Sequence, residues 1–170
     1  MDSFTQTPED MNQFLEFFEE DIQNIRRVLE YVDRNDLDVK FRVHPKAETC
    51  EESARHSDLD KGQIVKTLVF RGENFFAVLA PGDSRVDEER LEELRGEDVR
   101  MANPDEVEQS TGYVIGGVSP FDLEIPVYME ESLTEYNRVR PAAGSRNVGV
   151  EISPEELAET NNAEVTDLTE

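Results

Sequence analysis

Cysteine occurs once in this 170-residue chain, at Cys50, so no intramolecular disulfide framework exists and a reducing, cytoplasmic setting is expected. Histidine occurs only at His44 and His56, which with one cysteine cannot make a strong zinc constellation. No metal or other cofactor is therefore expected. No apolar run approaches the roughly 18 residues of a membrane span. The opening MDSFTQTPEDM is acidic and polar, unlike a secretory signal or a transit peptide. Positive charge is also scarce: 17 basic residues face 40 acidic ones, a formal charge of −23, so a basic nucleic-acid footprint is missing and DNA is not an expected partner. Only 4 of the cations are lysines. So acidic a surface repels itself in dilute buffer, and at about 1 M salt the Debye length falls to about 3 Å and screens most of that repulsion. The composition reads as that of a protein from a salt-loving organism; the alternative is an acidic protein whose charge merely favours solubility.

Low hydrophobicity with high charge is also a signature of disorder. The compact apolar runs IVKTLVF (64–70) and FFAVLA (75–80) argue against it, because they are what a buried sheet requires. The length allows one domain with a real core. Pro8 to about Arg34 reads as a helix. Met11, Leu15, Phe18, Ile22, Ile25, Leu29 and Val32 form a seam, widened by Phe14, Phe17 and Val28. That width favours packing on its own domain over a coiled coil with a second copy, and the oligomeric state stays open. Residues 1–38 are read as a helical extension and 39–170 as the main domain.

Further along, Val39–Val43 is extended and Thr49 with Glu52 caps a short helix. A hairpin follows over 64–71 and 75–80, then a helix from Asp87, a strand at 99–102 and a helix capped by Asn103. GYVIGGVSPFD (112–122) carries three glycines and a proline and must turn. Strands are expected at 125–129, 136–140 and 147–152, a helix after Ser153, and an edge strand in the final AEVTDLT. The mixed order implies an α+β fold, with a mixed, largely antiparallel sheet surrounded by helices.

Four places could carry chemistry. Lys66 sits on an apolar strand with Ile64, Leu68 and Phe70 on its face, where a lysine either snorkels outward or enters a polar pocket. Gly116 and Gly117 allow backbone N–H groups to converge on a phosphate or carbonyl oxygen, or simply make a tight turn. In PAAGSRN (141–147), Gly144, Ser145 and Arg146 suit an anion or a hairpin turn. Arg138, Arg140 and Arg146 could make a basic track, but Glu130, Glu131 and Glu135 crowd the same region and weigh against it. A helix start at Cys50 would favour a thiolate there, but no catalytic-cysteine signature surrounds it.

Taken in order, TCEESA (49–54), VKTLVF (65–70), TGYVIGGVSPF (111–121), AGSRN (143–147) and ISPEEL (152–157) resemble the YbaK family, the prolyl-tRNA-synthetase-associated editing domain. The likeness runs from about Val43 to Thr169. It implies a partly barrel-like sheet ringed by helices, and a deacylase that hydrolyses the ester bond of mischarged aminoacyl-tRNA. Lys66 matches the family lysine, and Gly116, Gly117 and Pro120 match its glycine loop. Many members have glycine after the SPF or SPL triplet, where this chain has Asp122.

Under that resemblance Lys66 holds the phosphate or ribose end of the substrate. The amides of Gly116 and Gly117 grip the acyl carbonyl, a donor arrangement worth about 10²–10³ in rate. Tyr113 and Phe121 flank the loop, either stacking on a base or lying in the core. Ser119, Pro120, Gly144, Ser145 and Arg146 complete the substrate-binding set. With no protein base in evidence, a ribose hydroxyl or a phosphate would activate the water. The partner is the 3′ aminoacylated end of tRNA, with an aminoacyl-tRNA synthetase as a further candidate docked through the amino-terminal helix. The alternative is a non-catalytic module of the same fold that binds a tRNA end or a nucleotide.

Overall fold

The computed structural model describes residues 8–43 and 59–170, with side chains in the first helix described from Glu19 onward. The expectations for Cys50, His44, His56 and the Thr49–Glu52 cap fall outside the described residues.

Helix α1 (Pro8–Arg34) leads to β1 (Lys40–Val43). A 3-10 turn (Lys61–Gln63) opens β2 (Ile64–Arg71), and a tight turn in which Gly72 N–H donates to the Asn74 carbonyl leads to β3 (Phe75–Pro81). Then come α2 (Glu88–Arg95), β4 (Arg100–Met101), α3 (Pro104–Thr111) and β5 (Val127–Glu130). The chain ends with β6 (Arg140–Ser145), β7 (Val148–Glu151), α4 (Pro154–Asn161) and β8 (Glu164–Thr166). The three short helices start where cap chemistry places them: the side chains of Asp87, Asn103 and Ser153 each accept a first-turn backbone N–H.

The sheet is mixed, in the order β1-β7-β6-β2-β3-β5-β8, with β4 paired to β2. Four pairings are antiparallel and three parallel, so antiparallel pairing leads by a narrow margin. Both faces are covered, which is why β3 reads as an unbroken apolar run. One face packs Val65, Val69, Ala77 and Leu79 against Val28 and Val32 of α1, Val107 of α3 and Leu157 of α4. The other packs Phe70, Phe76, Val78 and Ala80 against Leu91 of α2 and Leu168.

Two expectations shift. The strand expected at 136–140 lies at 140–145, so PAAGS is strand, and only Arg146 and Asn147 turn the chain into β7. Pro141 is tolerated beside Val65 in a two-residue parallel pairing, and Gly144, with φ of 87°, sits in an irregularity of the β6–β7 register. On α1 the buried stripe is centred on Val28 and Val32, while Ile22 and Leu29 of the expected seam are exposed. No helix among the described residues is long and apolar enough to cross a membrane.

At the start of α3, Glu106 binds both guanidinium Nη atoms of Arg100 (2.8 and 3.0 Å), the Asn103 backbone N–H and Arg71. The Arg100 hydrogen bonds, foremost, hold its carboxyl down at about 2. A carboxyl depressed in the folded state stabilises above its unfolded pKa, and that contribution is lost as pH falls through the folded value. The cap is therefore expected to persist through mild acid and loosen toward pH 2. A carbon-detected NMR titration of Glu106 that ran through the ordinary carboxyl range would contradict this.

Candidate functional site

β2 is the axis of the site. β6 pairs with it only at Ile64 and Val65, and β4 only at Phe70 and Arg71. Between those points the two neighbours diverge, leaving Lys66, Thr67 and Leu68 with no strand across that edge. The split opens a cavity of about 300 Å³. Val65 and Val69 from one face of β2 and Lys66 and Leu68 from the other line it, as they must where a sheet is parted. Met101, Ala102 and Val107 form one wall, Ile115, Gly116 and Val118 of the glycine loop another, and Ser145 and Arg146 at the end of β6 a third.

Four of the expected residues thus share one rim: Lys66, Gly116, Ser145 and Arg146. Lys66 is half-buried, and its ammonium donates to the Ser84 carbonyl in the loop after β3. Gly116 is exposed with φ of 97°, and a Cβ there would lie 2.1 Å from Arg146 Nε. Glycine is what lets the Arg146 guanidinium lie across the loop. The Ser145 hydroxyl donates to Asp21 Oδ2 (2.9 Å) and accepts from the Asn147 N–H (3.1 Å). These two bonds tie the end of β6 to α1.

The remaining expected residues stand behind the rim. Gly117 is buried, and its N–H donates to the Val114 carbonyl at 3.0 Å, closing a turn. This departs from the expectation of two amides on one carbonyl oxygen: the Gly117 N–H is engaged within its own turn, Gly117 packs against Gly144 and Ser145, and Gly116 alone of the two lines the cavity. Tyr113, Ser119 and Phe121 are fully buried and Pro120 is buried beside them. The Tyr113 hydroxyl donates to the Phe121 carbonyl at 2.7 Å, and burial pushes its pKa up to about 12. Neither aromatic ring presents a face to a base. They are the loop's internal scaffold, buried because the loop folds back onto α1. Gly144 is also behind the cavity, packed against α1, where a Cβ would come within 2.8 Å of the Asn24 backbone.

Arg138 and Arg140 do not join Arg146 in a basic track. Arg138 donates to the Glu151 and Asp38 carbonyls (3.0 and 3.4 Å). Arg140, 6% exposed, pairs with Glu151 Oε1 at 2.5 Å. Burial works against the Glu151 charge, but hydrogen bonds from Arg140 and Arg42 outweigh it and keep the carboxyl below its usual range. Arg140 still reaches the cavity wall, where its Nε and Thr67 Oγ1 have no hydrogen-bond partner among the described residues.

The side chains that sequence reasoning missed come from α1. Asp21 holds Ser145, and Arg27 binds Asp122 and the Thr111 carbonyl at the two ends of the glycine loop. Their spacing, 21, 24, 27–28, 31 and 34, follows one helix face, but polar residues on a helix read as solvated surface until their partners are known.

The chain is 38% identical over 121 residues to the uncharacterized protein YwhH of Bacillus subtilis (strain 168), covering 69% of this chain and 77% of that one. It is 32% identical over 131 residues to EbsC of Enterococcus faecalis (strain ATCC 700802 / V583), named as a candidate Cys-tRNA(Pro)/Cys-tRNA(Cys) deacylase, covering 74% and 78%. The crystal structure of a candidate trans-editing enzyme for prolyl-tRNA synthetase superposes with a TM-score of 0.80 at 34% identity, over 86% of this chain and 97% of the other. Residues 44–160 match the aminoacyl-tRNA editing domain, so this chain, with its lysine strand and glycine loop around one cavity, belongs to the aminoacyl-tRNA editing domain family.

Proposed function

We propose that this protein is a trans-acting deacylase that hydrolyses the ester between a wrongly attached amino acid and the 3′ end of a tRNA. The observation that carries the reading is the convergence of Lys66, Gly116 and Arg146 on one cavity where the central sheet is split. At about 300 Å³ the cavity is at the small end of ligand sites, suited to an aminoacyl group with its ribose at the mouth. Its walls are mostly apolar, with valine the commonest residue, which excludes bulk water from the acyl chain.

Hydrolysis needs a water to add to the ester carbonyl and the ribose oxygen to leave with a proton. Ser145 is committed to Asp21, so direct water attack is the consistent route. In this reading the amide of Gly116, a residue of the cavity lining, meets the oxyanion as charge develops. Lys66 keeps two further donors beyond its bond to Ser84, for the phosphate or ribose. Arg146 offers a planar fork and stacking surface at the mouth, the part that Tyr113 and Phe121 cannot play. The neighbouring ribose hydroxyl takes the proton from the attacking water and relays one to the leaving oxygen.

The engagement of the Gly117 amide favours one second reading, a module that binds a tRNA end without turnover. A panel of charged tRNAs, assayed in dilute buffer and in molar potassium chloride, separates the two. Deacylation of one mischarged species is expected, with activity and unfolding midpoint both rising with salt as surface repulsion is screened. Tight binding with no hydrolysis of any species at either salt concentration would overturn the enzyme.

A further inference from the structure

Arg27 lies on α1, outside residues 44–160 that match the editing family. Its guanidinium grips both ends of one loop. Nη1 donates to the Thr111 carbonyl at 2.6 Å, Nη2 to the Asp122 carbonyl at 2.5 Å, and Nε to Asp122 Oδ2 at 2.9 Å. Its centre lies 4.2 Å from the Tyr113 ring centroid. Gly112, with φ of 79°, makes room, since a Cβ there would be 2.8 Å from Nη1. Arg34, two turns along the helix, approaches the other Asp122 carboxylate oxygen at 3.6 Å.

Asp122 is the residue that departs from the family resemblance, and it holds φ of 63°, the left-handed conformation that glycine adopts freely. Aspartate is among the side chains that tolerate this conformation. Here its carboxylate meets an arginine supplied by a helix outside the matched segment. The same helix face continues to the second loop of the site: the Asn24 backbone abuts Gly144, and Asp21 accepts from Ser145.

We propose that Arg27 and Asp122 are positioning residues for deacylation: together they pin the glycine loop to α1 so that Gly116 stays at the cavity rim beside Arg146. The inference rests on the deacylase reading for its kinetic part and on the observed geometry for its mechanical part. The residues Arg27 touches, Thr111, Tyr113 and Asp122, do not line the cavity, so losing these contacts loosens the loop without removing a substrate contact.

The test combines Arg27→Ala, Asp122→Asn, Asp122→Gly and the Arg27→Ala/Asp122→Gly double variant in the full chain. Thermal unfolding, amide hydrogen exchange across 112–122, and kcat and KM on the hydrolysed tRNA are measured for each. Arg27→Ala is expected to lower kcat about tenfold to a hundredfold with KM nearly unchanged, the cost of a misplaced catalytic loop. Exchange in 112–122 should rise while that of β3 stays native. Asp122→Gly should cost less alone, and little more once Arg27 is gone. Millimolar guanidinium should restore part of the Arg27→Ala rate and none of a Lys66→Ala rate. If Arg27→Ala fails to fold, the isosteric Asp122→Asn must still show faster loop exchange and a lower kcat. Native kcat with native loop exchange in the folded variants overturns the proposal. If wild type hydrolyses no charged tRNA, the deacylase reading fails separately, while loop exchange and its non-additivity still decide whether Arg27 pins the loop.

Discussion

Lys66→Ala is expected to abolish deacylation and leave the protein folded. The side chain is half-buried, and among the described residues it makes one hydrogen bond, to the Ser84 carbonyl, so the stability cost should be about 1 kcal/mol. The rate effect should be far larger. A preorganised donor at a reacting or anchoring oxygen is worth about 10²–10³ in rate, and Lys66 is the lysine of the cavity rim. Arginine should not rescue, because its planar fork is larger than an ammonium and is more weakly hydrated. Turnover at saturating substrate and the unfolding midpoint, measured on the same sample, check both halves. Near-native turnover in the alanine variant would reduce Lys66 to a strut between β2 and the Ser84 loop.

Gly117→Val is expected to cost stability and activity together. A Cβ at Gly117 would meet backbone atoms of Gly144 and Ser145 at 3.1 Å, and Gly144 is itself backed by the α1 backbone. Nothing in that stack is a flexible side chain, so relief requires moving β6 off α1. Overpacking of this kind costs about 1–3 kcal/mol. At about 2–4 °C per kcal/mol for a chain of this size, the midpoint should fall by several degrees. Gly116→Val should differ. It faces solvent and displaces the Arg146 side chain, so its main cost is the strained positive φ and the lost seat of the guanidinium. Its rate should fall with a smaller change in midpoint. Unchanged rates in both variants would make the loop an ordinary turn.

The hairpin over 64–71 and 75–81 is legible from sequence because both faces of β3 are buried and a short apolar run bounded by turn residues has few other solutions. The helix starts at Asp87, Asn103 and Ser153 are equally legible, since a cap is a hydrogen bond closed within three residues. The β6 strand was misplaced for a physical reason. Pro141 and Gly144 carry turn propensity, and their strand assignment comes from a distant parallel partner and from the α1 backbone. Tyr113 and Phe121 were ambiguous in the same way, since an aromatic beside a glycine loop reads alike as a platform or as a plug.

Sequence by itself determined the lysine strand, the glycine loop, the caps, the acidic surface and, through their order, the family. Each is either a local hydrogen-bonding rule or a pattern carried by consecutive residues. Tertiary structure alone decided that the sheet parts at Lys66, that the Gly117 amide is already spent within its own turn, and that Asp122 is the anchor of Arg27 from 95 residues away. Those outcomes depend on contacts between segments far apart in the chain, where a charged residue on a helix or a left-handed aspartate carries no local mark of the partner it will meet.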